Sequence, residues 1–220
     1  MLLGKEKIER LAAAHVMIFG LGGVGSYVTE ALARSGVGYL TLIDGDVFTL
    51  TNLNRQLGAV QCTIGKLKTE VMHQRIKEIN PLCKIKIISE IYRAGDFEKY
   101  ITDKTDFVAD AIDDTKAKAD LLAECYRHKI PVISAMGTGN KLDPSKLVLT
   151  DIGKTSGCPL ARSVRHELRK FKIEKGINVV YSTEKPIDTG SNVTGSMMFV
   201  PASAGILMAS HIVRKIVGDK

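Results

Sequence analysis

The chain of 220 residues is long enough for one domain, and its hydrophobic share of 45% argues against intrinsic disorder. No apolar run reaches the roughly 20 residues of a membrane helix, and the charged first ten residues do not resemble a signal peptide, so we predict a cytoplasmic protein. Four scattered cysteines without a C-x-x-C pair argue against a disulfide framework and a structural zinc site, while the net charge of +7 permits an acidic partner.

Short apolar strands alternate with amphipathic helices along the first part of the chain. Helices are predicted at residues 5–11, 26–35, 66–80, 96–102 and 116–129, and strands at 15–19, 39–43, 85–89, 107–112 and 131–136. The polar segment 44–61 is predicted to be a long loop with a short helix near residues 52–57. Loops of that length are usually functional. Right-handed crossovers make this pattern a Rossmann-like α/β fold with a doubly wound, mainly parallel sheet.

The pattern changes after residue 137. Further strands are predicted at residues 147–152, 178–182 and 197–200, and we expect them to extend the sheet edge as antiparallel C-terminal strands. A basic helix is predicted at residues 159–171, a closing helix at 203–217 and a loop near the site at 190–195. We therefore predict a single domain over residues 1–220, with a nucleotide-binding core at 11–136 and a substrate-facing part at 137–220.

A glycine-rich turn joins the first strand to the second helix. The turn is Gly20-Leu21-Gly22-Gly23-Val24-Gly25, and in this context backbone N–H groups meet phosphate oxygens at a helix N-terminus. Asp44 ends the second strand, about 20 residues further on, where a ribose-binding carboxylate is expected. These residues predict a nucleotide site, and they fit NAD, FAD and ATP equally.

Polar residues downstream favour a triphosphate. Asn52 and Arg55 follow in the long loop, and Lys68 with its neighbour Lys66 opens the next helix. The guanidinium of an arginine can bind two phosphate oxygens with its planar fork of N–H donors. The ammonium of a lysine provides a compact positive charge. A dinucleotide needs neither group, so we predict an ATP site.

Two acidic residues follow the fourth strand at the same sheet edge. Magnesium takes one or two carboxylates together with substrate phosphates, so one of these acids suits a metal. The other acid, or Thr115 beside it, suits the N-cap of the helix that follows. We assign Asp113 to magnesium and Asp114 or Thr115 to the cap.

Together these motifs resemble the adenylating domain shared by ubiquitin-activating enzymes and the bacterial ThiF, MoeB and HesA proteins. The resemblance rests on the glycine turn, Asp44, Asn52-Leu53-Asn54-Arg55-Gln56, Gly65-Lys66-x-Lys68 and the acid pair, and it spans roughly residues 11–136. The segments 30–36, 139–144, 155–162 and 182–186 are similar to the tRNA threonylcarbamoyladenosine dehydratase branch and extend the resemblance over almost the whole chain.

The resemblance implies a function for each site residue. Gly20, Gly22, Gly23 and Gly25 would line the nucleotide, and Asp44 would hold its ribose. Asn52, Arg55 and Lys68 would face its phosphates, and Asp113 would hold magnesium or orient the triphosphate. The implied reaction is the ATP-dependent dehydration of threonylcarbamoyladenosine in tRNA through an acyl-adenylate. A homodimer and a sulfur-relay protein are implied as partners. With tRNA as substrate, the basic helix face of Arg162, Arg165 and Arg169 would contact phosphates.

Other interpretations stay open at this point. One is an adenylyltransferase that activates the C-terminus of a ubiquitin-like sulfur-carrier protein, although the metal-binding cysteine pairs of that branch are missing. Others are an NAD-linked oxidoreductase and a non-catalytic nucleotide- or RNA-binding module. Relatives also supply an arginine from the partner subunit's N-terminal segment; here either the chain is truncated before that segment or Lys5 or Arg10 compensates for it. A nucleophilic role for Cys158, in a loop before the basic helix, is a further alternative.

Overall fold

The computed structural model describes residues 2–102, 104–190 and 193–218. Within these ranges the strands are β1 (His15–Phe19), β2 (Tyr39–Ile43), β3 (Lys84–Ile88), β4 (Phe107–Asp110), β5 (Val132–Ala135), β6 (Leu147–Asp151) and β7 (Asn178–Ser182). The α-helices are α1 (Gly4–Ala13), α2 (Gly25–Arg34), α3 (Lys68–Ile79), α4 (Phe97–Tyr100), α5 (Thr115–Arg127), α6 (Pro159–Lys170) and α7 (Phe199–Ile216). The long loop contains single 3₁₀ turns at Leu50–Asn52 and Gln61–Thr63.

These strands form one sheet in the order β3-β2-β1-β4-β5-β7-β6. All neighbouring strands pair in parallel except β6 and β7, which are antiparallel. Along the chain, β2 and β3 add to one side of β1, and β4 then pairs with the other side of β1. This confirms the doubly wound, mainly parallel α/β fold, and it puts the topological switch point between β1 and β4.

The sheet is buried on both faces, as the apolar strands predict. Along β1, Met17 and Phe19 pack into the core under α5 and α6, whereas Val16 and Ile18 pack into the core under α2 and α7. Such two-sided burial is typical of parallel sheets covered by crossover helices. Among the described residues, no helix is both long and apolar enough to cross a membrane.

The C-terminal part differs from the prediction in two respects. The predicted strand at 197–200 is wrong, because α7 already begins at Phe199. The apolar residues 197–200 resemble a buried strand. Pro201, however, lies in the first turn of α7, where a missing N–H is tolerated. In addition, β7 continues the parallel series beside β5, so β6 alone runs against its neighbour.

Candidate nucleotide-binding site

A cavity of about 860 Å³ lies at the carboxyl ends of β1, β2, β4 and β5. Parallel α/β sheets bind their ligands at this edge, next to the switch point. The cavity brings together nearly all of the residues predicted for the nucleotide and the metal: Gly20, Gly22, Gly23, Asp44, Asn52, Arg55, Lys68 and Asp113. Gly25 does not line it, and neither does Lys66, the exposed neighbour of Lys68.

The four glycines of the turn have two different tasks. Gly20 has φ +86°, and a Cβ there would lie 2.7 Å from the carbonyl oxygen of Ala111. A Cβ at Gly25 would lie 1.7 Å from the carbonyl oxygen of Gly20, so these two positions allow backbone segments to touch. Gly22 and Gly23 line the cavity at the N-terminus of α2, where an anion is favoured. The sequence therefore predicts the turn correctly, but Gly25 allows two backbone segments to pack closely and does not line the cavity.

Asp44 is held rigidly at the end of β2. Its Oδ2 accepts a hydrogen bond of 2.6 Å from the Leu21 N–H, and its Oδ1 accepts one of 2.8 Å from the Asp46 N–H. Burial raises the pKa of the Asp44 carboxyl, while the Lys68 charge and these two donors act in the opposite direction. This orientation ties the carboxylate to the glycine turn.

Lys68 lies between two carboxylates. Its Nζ donates to Asp46 Oδ2 at 2.7 Å and lies 3.7 Å from Asp44 Oδ2. The side chain is buried, so this cation is fully oriented before any ligand binds. Sequence reasoning missed Asp46, although its position two residues after Asp44 was a usable signal. A phosphate that binds Lys68 has to share it with Asp46.

Arg55 reaches the cavity from the long loop. Its Nη1 donates to the Thr51 carbonyl oxygen at 2.7 Å and to Asn54 Oδ1 at 3.0 Å. A guanidinium carries five N–H donors, so donors remain for a phosphate in the cavity. Asn52 is buried and its Oδ1 accepts from the Thr49 N–H at 3.1 Å, which shapes the same loop. Asn52 thus holds the loop that presents Arg55.

Of the two acids after β4, one is the predicted helix cap. Asp114 is the N-cap of α5, and its Oδ1 accepts from the Ala117 N–H at 2.7 Å. Asp113 is exposed at the cavity wall. No group of three or more His, Cys, Asp or Glu side chains suited to a metal occurs in the part of the chain that the structure describes. A single exposed carboxylate at the cavity wall is of the ligand type that magnesium takes together with phosphates and water.

A buried ion pair beneath the cavity was not predicted. Lys118 on α5 donates to Asp110 Oδ2 at 2.7 Å, to Ser134 Oγ at 3.2 Å and to the Ala135 carbonyl oxygen at 3.0 Å. Asp110 and Lys118 are both fully buried. The other oxygen of Asp110 accepts from the Ile112 N–H at 3.0 Å, so the pair fixes the backbone that leads to Asp113.

The C-terminal part forms the opposite wall of the cavity. Thr194 and Ser196 line it, and Asn140 joins their segment to the wall through hydrogen bonds of 2.8 and 2.6 Å with Gly195. Residues 191 and 192 of the loop predicted at 190–195 lie outside the described residues. Lys141 supports the same wall from behind: it is buried, donates to the carbonyl oxygens of residues 137 and 182, and its pKa is lowered by burial.

The basic helix α6 begins at the cavity, since Leu160 lines it. Arg162 and Arg169 are exposed, but Arg165 is half-buried and its Nη1 bonds to the backbone and the hydroxyl of Thr155. The three predicted tRNA contacts are therefore not equivalent. Cys158 is buried directly before the helix, against Gly137.

Comparison with known proteins identifies the family. The model of the ThiF family matches residues 1–220. The chain belongs to the ThiF family. Among its relatives, the tRNA threonylcarbamoyladenosine dehydratase of Bacillus subtilis is 39% identical over 99% of this chain and 92% of that protein.

Solved structures of ThiF-family proteins agree with this fold. The crystal structure of Escherichia coli tRNA N6-threonylcarbamoyladenosine dehydratase, TcdA, in complex with ATP superimposes with a TM-score of 0.95 at 37% identity, covering 99% of this chain and 91% of that one. By contrast, the molybdopterin-synthase adenylyltransferase of Escherichia coli is 34% identical over 57% of this chain and 50% of that protein.

Proposed function

We propose that this ThiF-family chain is an ATP-dependent tRNA threonylcarbamoyladenosine dehydratase that cyclises the threonylcarbamoyl side chain with net loss of water. One observation carries the proposal: its similarity to the Bacillus subtilis dehydratase extends beyond the nucleotide-binding core and over 99% of the chain. The cavity supports it, because residues from both parts of the chain line the same space.

Each predicted site residue has a task in this proposal. The backbone at Gly22 and Gly23 binds phosphates at the start of α2, while Gly20 and Gly25 let the turn close. Asp44 holds the ribose, and Asn52, Arg55 and Lys68 face the phosphates. Asp113 holds magnesium, which when bound supplies positive charge at the triphosphate.

The chemistry begins at the carboxylate of the substrate side chain. A carboxylate oxygen forms a bond to the α-phosphorus of ATP, and the bond between the α-phosphorus and the bridging oxygen breaks to release pyrophosphate. An amide nitrogen of the same side chain then forms a bond to the activated carbonyl carbon, AMP leaves with the former carboxylate oxygen, and the nitrogen proton passes to solvent. Ring closure is intramolecular, so positioning supplies much of its rate. Arg55 and Lys68 offset the charge that develops at the phosphates.

The remaining parts of the proposal concern organisation and partners. The chain acts as one domain in the cytoplasm, with residues 11–136 binding ATP and residues 137–220 facing tRNA. It assembles as a homodimer, and a sulfur-relay protein is a possible partner. The alternative is activation of the C-terminus of a sulfur-carrier protein, favoured by the partial similarity to the molybdopterin-synthase adenylyltransferase.

We expect the protein to convert threonylcarbamoyladenosine in tRNA to a product lighter by one water, with AMP and pyrophosphate formed in equal amounts. The measurement is mass analysis of nucleosides after incubation of ATP and protein with tRNA that carries the uncyclised base. A matched reaction contains tRNA without the threonylcarbamoyl group, and a second contains a sulfur-carrier protein ending in Gly-Gly. Pyrophosphate release with the carrier and not with the modified tRNA would establish the alternative instead, because AMP stays bound to the carrier as the acyl-adenylate until a further nucleophile attacks it.

A separate prediction concerns tRNA binding by the basic helix α6. Replacing Arg162 and Arg169 by glutamate should weaken tRNA binding and reduce the magnitude of the slope of log affinity against log salt by roughly 1 to 2, because each lost phosphate contact changes the slope by somewhat less than one. Arg165 is left intact, since it holds Thr155. The matched control reverses two exposed arginines on other elements, Arg93 and Arg214. Equal slopes for the two double variants would remove α6 from the tRNA interface.

A further inference from the structure

A second cavity lies at the opposite edge of the sheet from the nucleotide site. Its volume is about 720 Å³, within the range of small-molecule sites, and Phe107, Val132 and Asn178 line it at the amino ends of β4, β5 and β7. Parts of α1, α5 and α7 form its sides. The proposed reaction takes place at the carboxyl ends of the strands and makes no use of this space.

The walls of this second cavity combine apolar surface with positive charge. Arg10, Lys129 and Lys215 bring three cations to it, and Arg10 is already paired with Glu6, its Nη2 lying 2.7 Å from Glu6 Oε1. Asp106 is the one carboxylate among the described residues that line it, and its Oδ2 already accepts from the His15 N–H at 2.8 Å. The rest of the lining is largely apolar: Ala13, Ala14, Phe107, Ile130, Pro131, Val132, Ile177 and Ile216. The charge complements an anion, and the apolar walls complement a hydrocarbon body.

Lys129 has the left-handed backbone conformation, which is strained for a lysine. Its φ is +56°, just after the end of α5, where glycine or asparagine adopts the left-handed conformation with less strain. Lysine at this position adds an exposed cation to the cavity.

His211 leaves an unpaired polar atom beside the same cavity. The side chain is 6% exposed, and its Nε2 has no hydrogen-bond partner within the described chain. Burial lowers the pKa of His211, and the charges of Lys215 and Arg214 lower it further, so the ring is neutral at pH 7. Buried polar atoms are normally paired, so this ring stands out in the cavity wall, and its resonances can report on a ligand bound beside it.

We propose that the second cavity binds a small organic carboxylate with an apolar chain. The carboxylate lies among Lys129, Lys215 and Arg10, and the chain lies against the apolar ends of β4 and β5. This inference concerns a site separate from the nucleotide cavity, and it does not depend on the reaction proposed above.

The test is titration calorimetry of octanoate into the full chain saturated with ATP, without tRNA. Octanoate should bind, and octanamide, which has the same chain without the charge, should bind several-fold more weakly. Lys129→Gly should weaken octanoate binding about two- to fivefold at low salt, as loss of one exposed ion pair does. Lys172→Gly is the matched control: Lys172 is also an exposed lysine with positive φ, at +61°, and it lies outside the cavity.

A second readout locates the ligand. Octanoate should shift the imidazole nitrogen resonances of His211 and leave those of His73 and His166, which lie outside this cavity, in place. Absence of octanoate binding, equal effects of the two lysine variants, or an unchanged His211 resonance would each overturn the proposal.

Discussion

Replacement of Arg55 by alanine is expected to slow adenylate formation by about 10²–10³-fold while leaving the fold intact. The guanidinium is held at the cavity wall by its bonds to Thr51 and Asn54, and in the proposed reaction its remaining donors bind the phosphates. Removal of one oriented donor from a developing oxyanion typically costs this much in rate. The measurement is the single-turnover rate of pyrophosphate release, with the protein in excess over threonylcarbamoylated tRNA and above its binding constant.

The controls separate charge from geometry. Arg55→Lys keeps the positive charge and loses the planar fork, so its rate should lie between those of the alanine variant and the unaltered protein. Arg93→Ala removes an exposed arginine that follows the cavity residue Tyr92 without lining the cavity, and it should leave the rate unchanged. An Arg55→Ala variant with full activity and an unchanged unfolding transition would exclude Arg55 from the phosphate site.

The sequence predicts the framework of the site because local patterns determine it. The strands at 15–19, 39–43 and 178–182 have the predicted bounds, since short apolar runs between turn signals leave little freedom. The glycine turn and Asp44 are found by spacing alone, because strand, turn and helix succeed each other without a gap. Arg55 and Asp113 follow from the rule that carboxyl ends of parallel strands share one edge.

What the sequence does not predict depends on contacts between distant segments. Lys118 lies in the helical segment Lys116-Ala117-Lys118, whose lysines predict a solvent-exposed helix face. In the structure Lys118 is fully buried against Asp110 on β4. Lys68 similarly reads as a free cation until the fold places Asp46 beside it. The partner of Lys118 is known only once the packing of α5 on the sheet is known. For Lys68 the position of Asp46 was a signal in the sequence, but the pairing itself depends on the fold.

The same limit explains the error at residues 197–200. Four apolar residues fit a buried strand and the first turn of a buried helix equally well, and such short runs cannot be assigned by periodicity. Pro201 was the available signal, because proline is accepted early in a helix and disrupts the interior of a sheet.

Lys118→Met is expected to lower the free energy of unfolding by about 3–5 kcal/mol. The variant leaves the Asp110 carboxylate buried beside Ser134 with no opposite charge, and an uncompensated buried charge typically costs this much. For a chain of this size the melting temperature should fall by roughly 10 °C. Urea unfolding followed by circular dichroism measures the change, with the same denaturant slope required of both proteins.

Two further variants decide whether the loss comes from the buried charge. Lys116→Met makes the same chemical change at an exposed position on α5 and should alter stability by no more than about 0.5 kcal/mol. Asp110→Asn combined with Lys118→Met removes both charges and should recover a large part of the loss, since the remaining amide needs only neutral partners. If the double variant is no more stable than Lys118→Met, the loss arises from side-chain packing. If it recovers stability but not adenylation, the ion pair serves the site through the Ile112 backbone that Asp110 holds.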